Sequence, residues 1–102
     1  MKFLAMSRRC PGVTDEQVAA QGVAEALRAF ELMSANVFEQ MYFSTDWRGV
    51  VLILQADSRA AAEAILGTLP MVANGAIRFD VYGLTNYDHF SRLFKDEFKA
   101  RP

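Results

Sequence analysis

The chain has 102 residues, enough for a single domain (1–102), and its 52% hydrophobic and 23% charged residues are typical of a globular protein. Eleven basic and twelve acidic residues give a net charge of −1 with no basic stripe, which argues against nucleic acid as a partner. One cysteine, Cys10, and one histidine, His89, exclude an intramolecular disulfide and leave too few ligands for a zinc or other transition-metal centre.

Apolar periodicity and turn residues predict seven elements. In chain order they are a strand over residues 2–8, a helix from Asp15 to about Ser34, strands over 37–44 and 49–56, a helix over 59–69, a strand over 76–84 and a helix from Tyr87 to about Phe98. Thr14 and Gln17 have the spacing of a capping box at the start of the first helix, and Asn36 ends it. Asp57 or Ser58 caps the second helix and Pro70 stops it, so residues 71–75 are expected to form a loop.

Each helix has one apolar side that is predicted to be buried. For the first helix these residues are Ala19, Val23, Ala26, Phe30 and Met33, with Leu27 at the edge. For the second helix they are Ala62, Ile65, Leu66 and Leu69, and for the last helix they are Phe90, Leu93, Phe94 and Phe98.

The third strand, Gly49-Val-Val-Leu-Ile-Leu-Gln-Ala56, is the most informative segment of the chain. Its five consecutive large apolar residues predict a strand that is buried on both faces. A chain of this length rarely covers both sides of a sheet by itself. The run therefore predicts that a second copy of the protein covers one side.

The order strand-helix-strand-strand-helix-strand-helix predicts an α+β, ferredoxin-like βαββαβ fold with an additional C-terminal helix. We expect the first and fourth strands at the centre of a four-stranded antiparallel sheet that carries both helices on one face. The other face would expose Val50 or Val51 and aromatic residues of the second strand. Pairing two such faces gives a symmetric homodimer, a dimeric α+β barrel, with a higher homo-oligomer as the alternative.

Three pairs of segments carry a resemblance to a known family. They are Met1-Lys-Phe-Leu with Pro11–Gln17, Met41-Tyr-Phe with Gly49–Ser58, and Leu66–Met71 with Ile77–Leu84. Together they resemble the muconolactone isomerase-like family of the dimeric α+β barrel superfamily. That superfamily also includes cofactor-free monooxygenases, polyketide cyclases and YCII-like proteins, so the resemblance implies the fold and a small-molecule enzyme without a cofactor.

His89 is the first candidate for chemistry, because histidine is the side chain that exchanges protons near neutral pH. At the start of the last helix it is either a general base at the mouth of a pocket or an ordinary solvated residue. Cys10 has no evident activating partner and is not expected to be a nucleophile.

Arg78, Asp80 and Tyr82 alternate on one face of the fourth strand. Arg78 is suited to hold a substrate carboxylate or enolate, and Asp80 is a second candidate base. The alternative is an Arg78–Asp80 ion pair that bridges two subunits. A solvated face is not expected for a central strand of a dimeric barrel.

Further binding candidates come from other strands. Tyr42 and Gln40 share a face of the second strand, where Tyr42 either donates a hydrogen bond to an oxyanion or fills the core. Arg8, at the end of the first strand, either reaches the same pocket or forms a surface ion pair. Trp47, in the hairpin turn, is either a contact in a higher oligomer or a lid over a pocket.

These residues support three hypotheses about function. The first is an isomerase or cyclase that moves a proton on a lactone, organic acid or polyketide-like ring held between sheet and helices, with His89 or Asp80 as base and Arg78 or Tyr42 stabilising an enolate. The second is a cofactor-independent monooxygenase of aromatic polyketides, which needs an apolar, water-poor cavity. The third is a ligand-binding or accessory oligomer without catalysis.

Two features bear on location. The N-terminal residues Met-Lys-Phe-Leu-Ala-Met lack the apolar length of a signal peptide, and no apolar run approaches the ~20 residues needed to cross a membrane. We therefore expect a cytoplasmic protein without a membrane partner.

Overall fold

Four strands and four α-helices make up the computed structural model, which describes residues 1–94. The elements are β1 (Lys2–Arg9), α1 (Asp15–Ala20), α2 (Gly22–Ser34), β2 (Phe38–Phe43), β3 (Val50–Gln55), α3 (Arg59–Leu66), α4 (Pro70–Ala73) and β4 (Ile77–Leu84). A short 3-10 helix, His89–Phe94, follows β4. Within these residues, no helix combines the length and apolarity that crossing a membrane requires.

The strands form one antiparallel sheet in the order β2-β3-β1-β4. This confirms the ferredoxin-like α+β prediction but corrects which strands are central. β1 and β3 occupy the middle and β4 lies at an edge. The crossover from β1 to β2 skips the position that β3 fills, and the crossover from β3 to β4 skips the position that β1 fills. The central position of β4 was therefore predicted wrongly, and the expectation that β4 lacks a solvated face loses that basis.

The predicted first helix is two helices. The capping box at Thr14 is present, with Gln17 N donating to Thr14 Oγ1 at 3.1 Å and Thr14 N donating to Gln17 Oε1 at 2.8 Å. A hydrogen bond between residues three apart interrupts the helix at Gln21, whose N–H donates to the carbonyl of Val18. α2 then starts at Gly22. As predicted, α2 ends before Asn36, which adopts the left-handed conformation with φ +60°.

α2 meets the sheet through a different face from the one predicted. Val23 and Phe30 are 87% and 69% exposed, and α2 buries Ala29 and Leu32 instead. On that inner side Glu25 accepts a hydrogen bond from Met71 N at 2.9 Å. Because α2 has apolar residues on two sides, periodicity alone did not decide which side would be covered. The other residues predicted to be buried, Ala19, Ala26, Leu27 and Met33, are also exposed.

The second predicted helix ends early, and Pro70 has a different role from the one expected. α3 ends at Leu66, and Pro70 is the first residue of α4, a position where its missing N–H costs no hydrogen bond. Ser58, rather than Asp57, caps α3, because its Oγ accepts from Ala61 N at 3.0 Å. The prediction for its apolar side holds, with Ile65 only partly buried and Ala62, Leu66 and Leu69 buried.

The core lies between the sheet and the helices. Its largest fully buried side chains are Phe3, Phe38, Leu52, Leu54 and Leu69. Alternate residues of β3 point away from this core, and Val51 and Ile53 are only partly buried in a single chain. One subunit therefore keeps one face of β3 dry, and the opposite face of the sheet carries no helix from residues 1–94.

The last predicted helix is a six-residue 3-10 helix whose side chains lie in solvent. Phe90, Leu93 and Phe94 were predicted to be buried, yet each is more than half exposed. Such a short helix is unstable without a packing partner, and no strand or helix packs extensively against it within residues 1–94. Phe98 lies outside the described residues. We call residues 85–94 the C-terminal arm.

Candidate functional site

The sheet surface opposite the helices, called here the open face, contains every strand residue that the sequence singled out for a site. The strand register places Tyr42, Val51, Met6 and Asp80 in one row across it, and Gln40, Ile53, Leu4 and Tyr82 in the next row. Arg8 and Arg78 are paired at one end of the face. The opposite end carries Lys2, which forms an ion pair with Glu39 at 3.4 Å. An apolar middle is thus enclosed between charged ends.

A β-bulge in β2 brings Tyr42 and Gln40 to this face. Sequence alternation put Phe38, Gln40 and Tyr42 on one side, but the pairing shifts between Phe38 and Gln40. Phe38 consequently points into the core at 1% exposure, whereas Tyr42 points outward at 58%. The Tyr42 hydroxyl donates a long hydrogen bond of 3.4 Å to Gln40 Oε1. Tyr42 is therefore not a core residue in a single chain.

Arg8, Asp80 and Arg78 form a charged cluster at one end of the open face. Arg78 Nη1 lies 2.5 Å from Asp80 Oδ1, and Arg8 Nε lies 3.5 Å from Asp80 Oδ2. The Arg78–Asp80 ion pair, which the sequence offers as a bridge between subunits, forms within one chain. Because two guanidinium groups share one carboxylate, the cluster has an excess positive charge that suits an anionic ligand. With both oxygens engaged, Asp80 is better placed to orient the arginines than to accept a proton.

Trp47 extends this cluster across the hairpin turn. Its Nε1–H donates to the carbonyl of Ser7 at 2.9 Å, and its ring lies 4.5 Å from the guanidinium carbon of Arg8. The turn folds this way because Ser44 Oγ accepts from Asp46 N and Trp47 N at 3.0 and 3.3 Å. The sequence does not predict Trp47 as a partner of Arg8, since the two residues are far apart along the chain and a tryptophan in a polar turn is the only signal.

Two acidic groups away from the open face have shifted pKa values. Hydrogen bonds from Arg9 at 2.5 Å and Arg48 at 2.8 Å hold the pKa of Asp15 below its ordinary value. Burial raises the pKa of Glu25, partly offset by its hydrogen bond from Met71 N. Both groups serve the fold, since they tie α1 and α2 to their neighbours.

His89 is not brought to the charged cluster. It lies on the exposed C-terminal arm, where its ring centroid is 5.3 Å from that of Tyr87. The arm also exposes Phe90, Leu93 and Phe94. In a single chain the structure thus unites six of the seven candidates on one surface and leaves the histidine apart.

Two depressions beside the helices do not gather the candidate residues, since one contains none of them and the other contains Arg78 alone. One open depression, of ≈ 300 Å³, is lined by α1 and residues 74–76. Another, of ≈ 180 Å³, lies beside α3 and β4 and touches Arg78 but not Asp80, Tyr42 or His89. In the part of the chain from 1 to 94, no three His, Cys, Asp or Glu side chains gather as they would around a metal ion. The candidate site is therefore the open face.

Comparison with known proteins supports the fold. No family model and no curated protein matches the chain. Among solved structures it is similar to TftG, the 5-chloro-2-hydroxyhydroquinone dehydrochlorinase of Burkholderia phenoliruptrix AC1100, in complex with 2,5-dihydroxybenzoquinone. The TM-score is 0.65 at 21% sequence identity, over 87% of this chain and 98% of TftG. The resemblance to the muconolactone isomerase-like family is thus confirmed at the level of fold alone, which is α+β and ferredoxin-like.

Proposed function

We propose that this chain is a cofactor-free enzyme that transfers a proton on a small organic acid, lactone or polyketide-like ring, in the manner of an isomerase or cyclase. The open face carries the proposal, because it combines a cationic cluster with an adjoining apolar surface. The fold it shares with TftG, which was solved with a small ring-shaped ligand, supports a small-molecule substrate.

Binding and charge stabilisation are assigned to residues of the strands. Arg78 and Arg8 bind the carboxylate or enolate oxygen of the substrate, and Asp80 orients them. Tyr42, Tyr82 and Gln40 contact the ring, with the Tyr42 hydroxyl available as a hydrogen-bond donor to developing negative charge.

Proton transfer is assigned to His89. It lies five residues beyond Leu84, so the arm can carry it about 17 Å from the end of β4 at ~3.3–3.6 Å per residue. Asp80 lies four residues back along β4, about 13 Å from that end. The arm is therefore long enough to bring the imidazole to the charged cluster of its own chain or of a second copy.

A second copy of the chain closes the site. The open face has partly buried Leu4, Met6, Val51 and Ile53 at its centre, and no helix of the described part of the chain lies over it. An uncovered apolar sheet surface favours association, and a two-fold axis through its middle allows the same face to cover itself. The proposed active form is thus a homodimer that excludes water from the substrate.

Hydrogen–deuterium exchange tests the catalytic proposal directly. In D2O without added metal or cofactor, the protein should speed deuterium incorporation next to the carbonyl of an unsaturated γ-lactone acid, as followed by NMR. His89→Asn should slow this by about 100-fold or more, the usual contribution of a general base. Arg48→Gln removes a positive charge that is paired with Asp15 instead, and should leave the rate unchanged. Absence of protein-dependent exchange for lactone, acid and polyketide-like ring substrates would contradict the proposal.

A non-catalytic ligand-binding oligomer is the second candidate. It is favoured by the engagement of both Asp80 oxygens and by the separation of His89 from the cluster. Saturable binding of a ring acid without exchange or turnover would support this candidate over the enzyme.

A further inference from the structure

Arg8 is held on the open face from two sides. The Trp47 ring lies against its guanidinium group, and the Asp80 carboxylate lies near its Nε. Within residues 1–94, Arg8 makes no other salt bridge or side-chain hydrogen bond, so its two terminal nitrogens are free to donate. A guanidinium group fixed in one plane with a free edge is suited to bidentate binding of a carboxylate.

Trp47 is itself fixed from two directions. Its indole N–H donates to the Ser7 carbonyl at 2.9 Å, and its backbone N–H donates to Ser44 Oγ at 3.3 Å. The first of these bonds ties the hairpin turn to β1, the strand that carries Arg8. The ring therefore acts as a rigid support, because it is anchored to the same strand as the cation that it holds.

The surroundings of Arg8 define the shape of the ligand. One step along the strands from Arg8 and Arg78 lies the row that contains Tyr42, Val51 and Met6. Alternate residues on a strand are about 7 Å apart, which is close to the length of a benzoate ion. An acid bound to the arginines would thus lay its ring on the Tyr42, Val51 and Met6 side chains of this row, beside Asp80.

We infer that Trp47 is a positioning residue, which holds Arg8 so that it binds the anionic group of a planar aromatic or enolic acid. The inference rests on the proposed function and names the class of ligand that the site takes. Arg8 supplies the contact with the anion, while Trp47 acts on the ligand through Arg8.

The matched pair Trp47→Phe and Trp47→Leu separates this role from a structural one. Both variants lose the hydrogen bond to Ser7, and both should lose similar stability, whereas only phenylalanine retains an aromatic ring against Arg8. Dissociation constants for benzoate and its uncharged analogue benzamide can be measured by amide NMR titration. Melting temperatures of the same samples report the structural effect.

We expect wild-type protein to bind benzoate at least about 10-fold more tightly than benzamide. Trp47→Leu should weaken benzoate binding about 3- to 5-fold, which corresponds to the usual strength of an exposed cation–π contact, and Trp47→Phe should stay within about 2-fold of wild type. Arg8→Lys should also weaken binding, because it keeps the charge but loses the planar fork.

Three results would overturn the inference: equal affinity for benzoate and benzamide, equal weakening in both Trp47 variants, or no weakening in either. Its failure can be told apart from failure of the proposed function, because binding is measured without turnover. Benzoate binding that depends on Trp47 in a protein without activity would contradict only the catalytic proposal. Activity together with unchanged benzoate affinity in Trp47→Leu would contradict only this inference.

Discussion

Gly49 lies where the hairpin passes close to Ser7 of β1. A Cβ atom there would clash with Trp47 Nε1 and would lie 2.8 Å from Ser7 Oγ. We predict that Gly49→Ala lowers the free energy of unfolding by about 1–3 kcal/mol, since the hairpin or β1 must shift. Urea denaturation measures this effect. Gly22→Ala is the control, because a Cβ there meets nothing within 4 Å and should be neutral or stabilising. Equal effects of both substitutions would contradict the close approach.

Glu25 gives a residue-level prediction about pH. Its pKa is raised in the folded protein by burial, so the folded state binds more protons than the unfolded state between the two pKa values. Stability from this group is therefore greatest at acidic pH and falls as pH rises through that range. Glu25→Gln should raise the melting temperature slightly at neutral pH, because Gln can still accept from Met71 N. The gain in melting temperature should vanish at pH values below the ordinary pKa of a glutamate carboxyl group. A gain that persists at such pH values would refute this explanation.

At the scale of elements, the start of α3 depends on one hydroxyl group. Ser58 Oγ accepts from Ala61 N, and α3 places Ala62 and Leu66 in the core. We predict that Ser58→Ala costs about 1 kcal/mol of unfolding free energy, the usual effect of losing an N-cap. Ser58→Asp should restore most of it, and Asp57→Ala should change stability by less than about 0.5 kcal/mol. A larger loss in Asp57→Ala would assign the cap to the neighbouring carboxylate.

α2 also shows, at the scale of elements, which features of a helix its sequence pattern predicts. The chain marked where α2 ends, because Asn36 tolerates the left-handed conformation that stops a helix. The sequence did not predict which side of α2 would face the sheet. That side is set by contacts between residues far apart in sequence, such as that of Glu25 with Met71. The bulge that turns Tyr42 away from the core is of the same kind, because it depends on pairing with β3.

At the scale of the whole molecule, the open face and the outer side of α2 are two separate apolar surfaces. If the open face forms the dimer, Val51→Lys should convert the protein to monomers in sedimentation velocity at micromolar concentration, because it places two charges in a dry interface. Val23→Lys adds the same charge to the outer side of α2 and should leave the assembly intact. If Val23→Lys alone caused dissociation, the interface would lie at α2 instead. A strictly monomeric wild type would show that neither surface forms a dimer interface.

The sequence alone determined the class of the fold and much of its local structure. Strand and helix periods, the capping box at Thr14 and the apolar run of β3 depend on near neighbours, which are visible in a linear chain. The order of the strands, the buried side of α2, the outward turn of Tyr42 and the Arg8–Trp47 contact were decided only by the tertiary structure. Each of these depends on contacts between distant residues, and their free energy is settled only when the sheet and helices pack together.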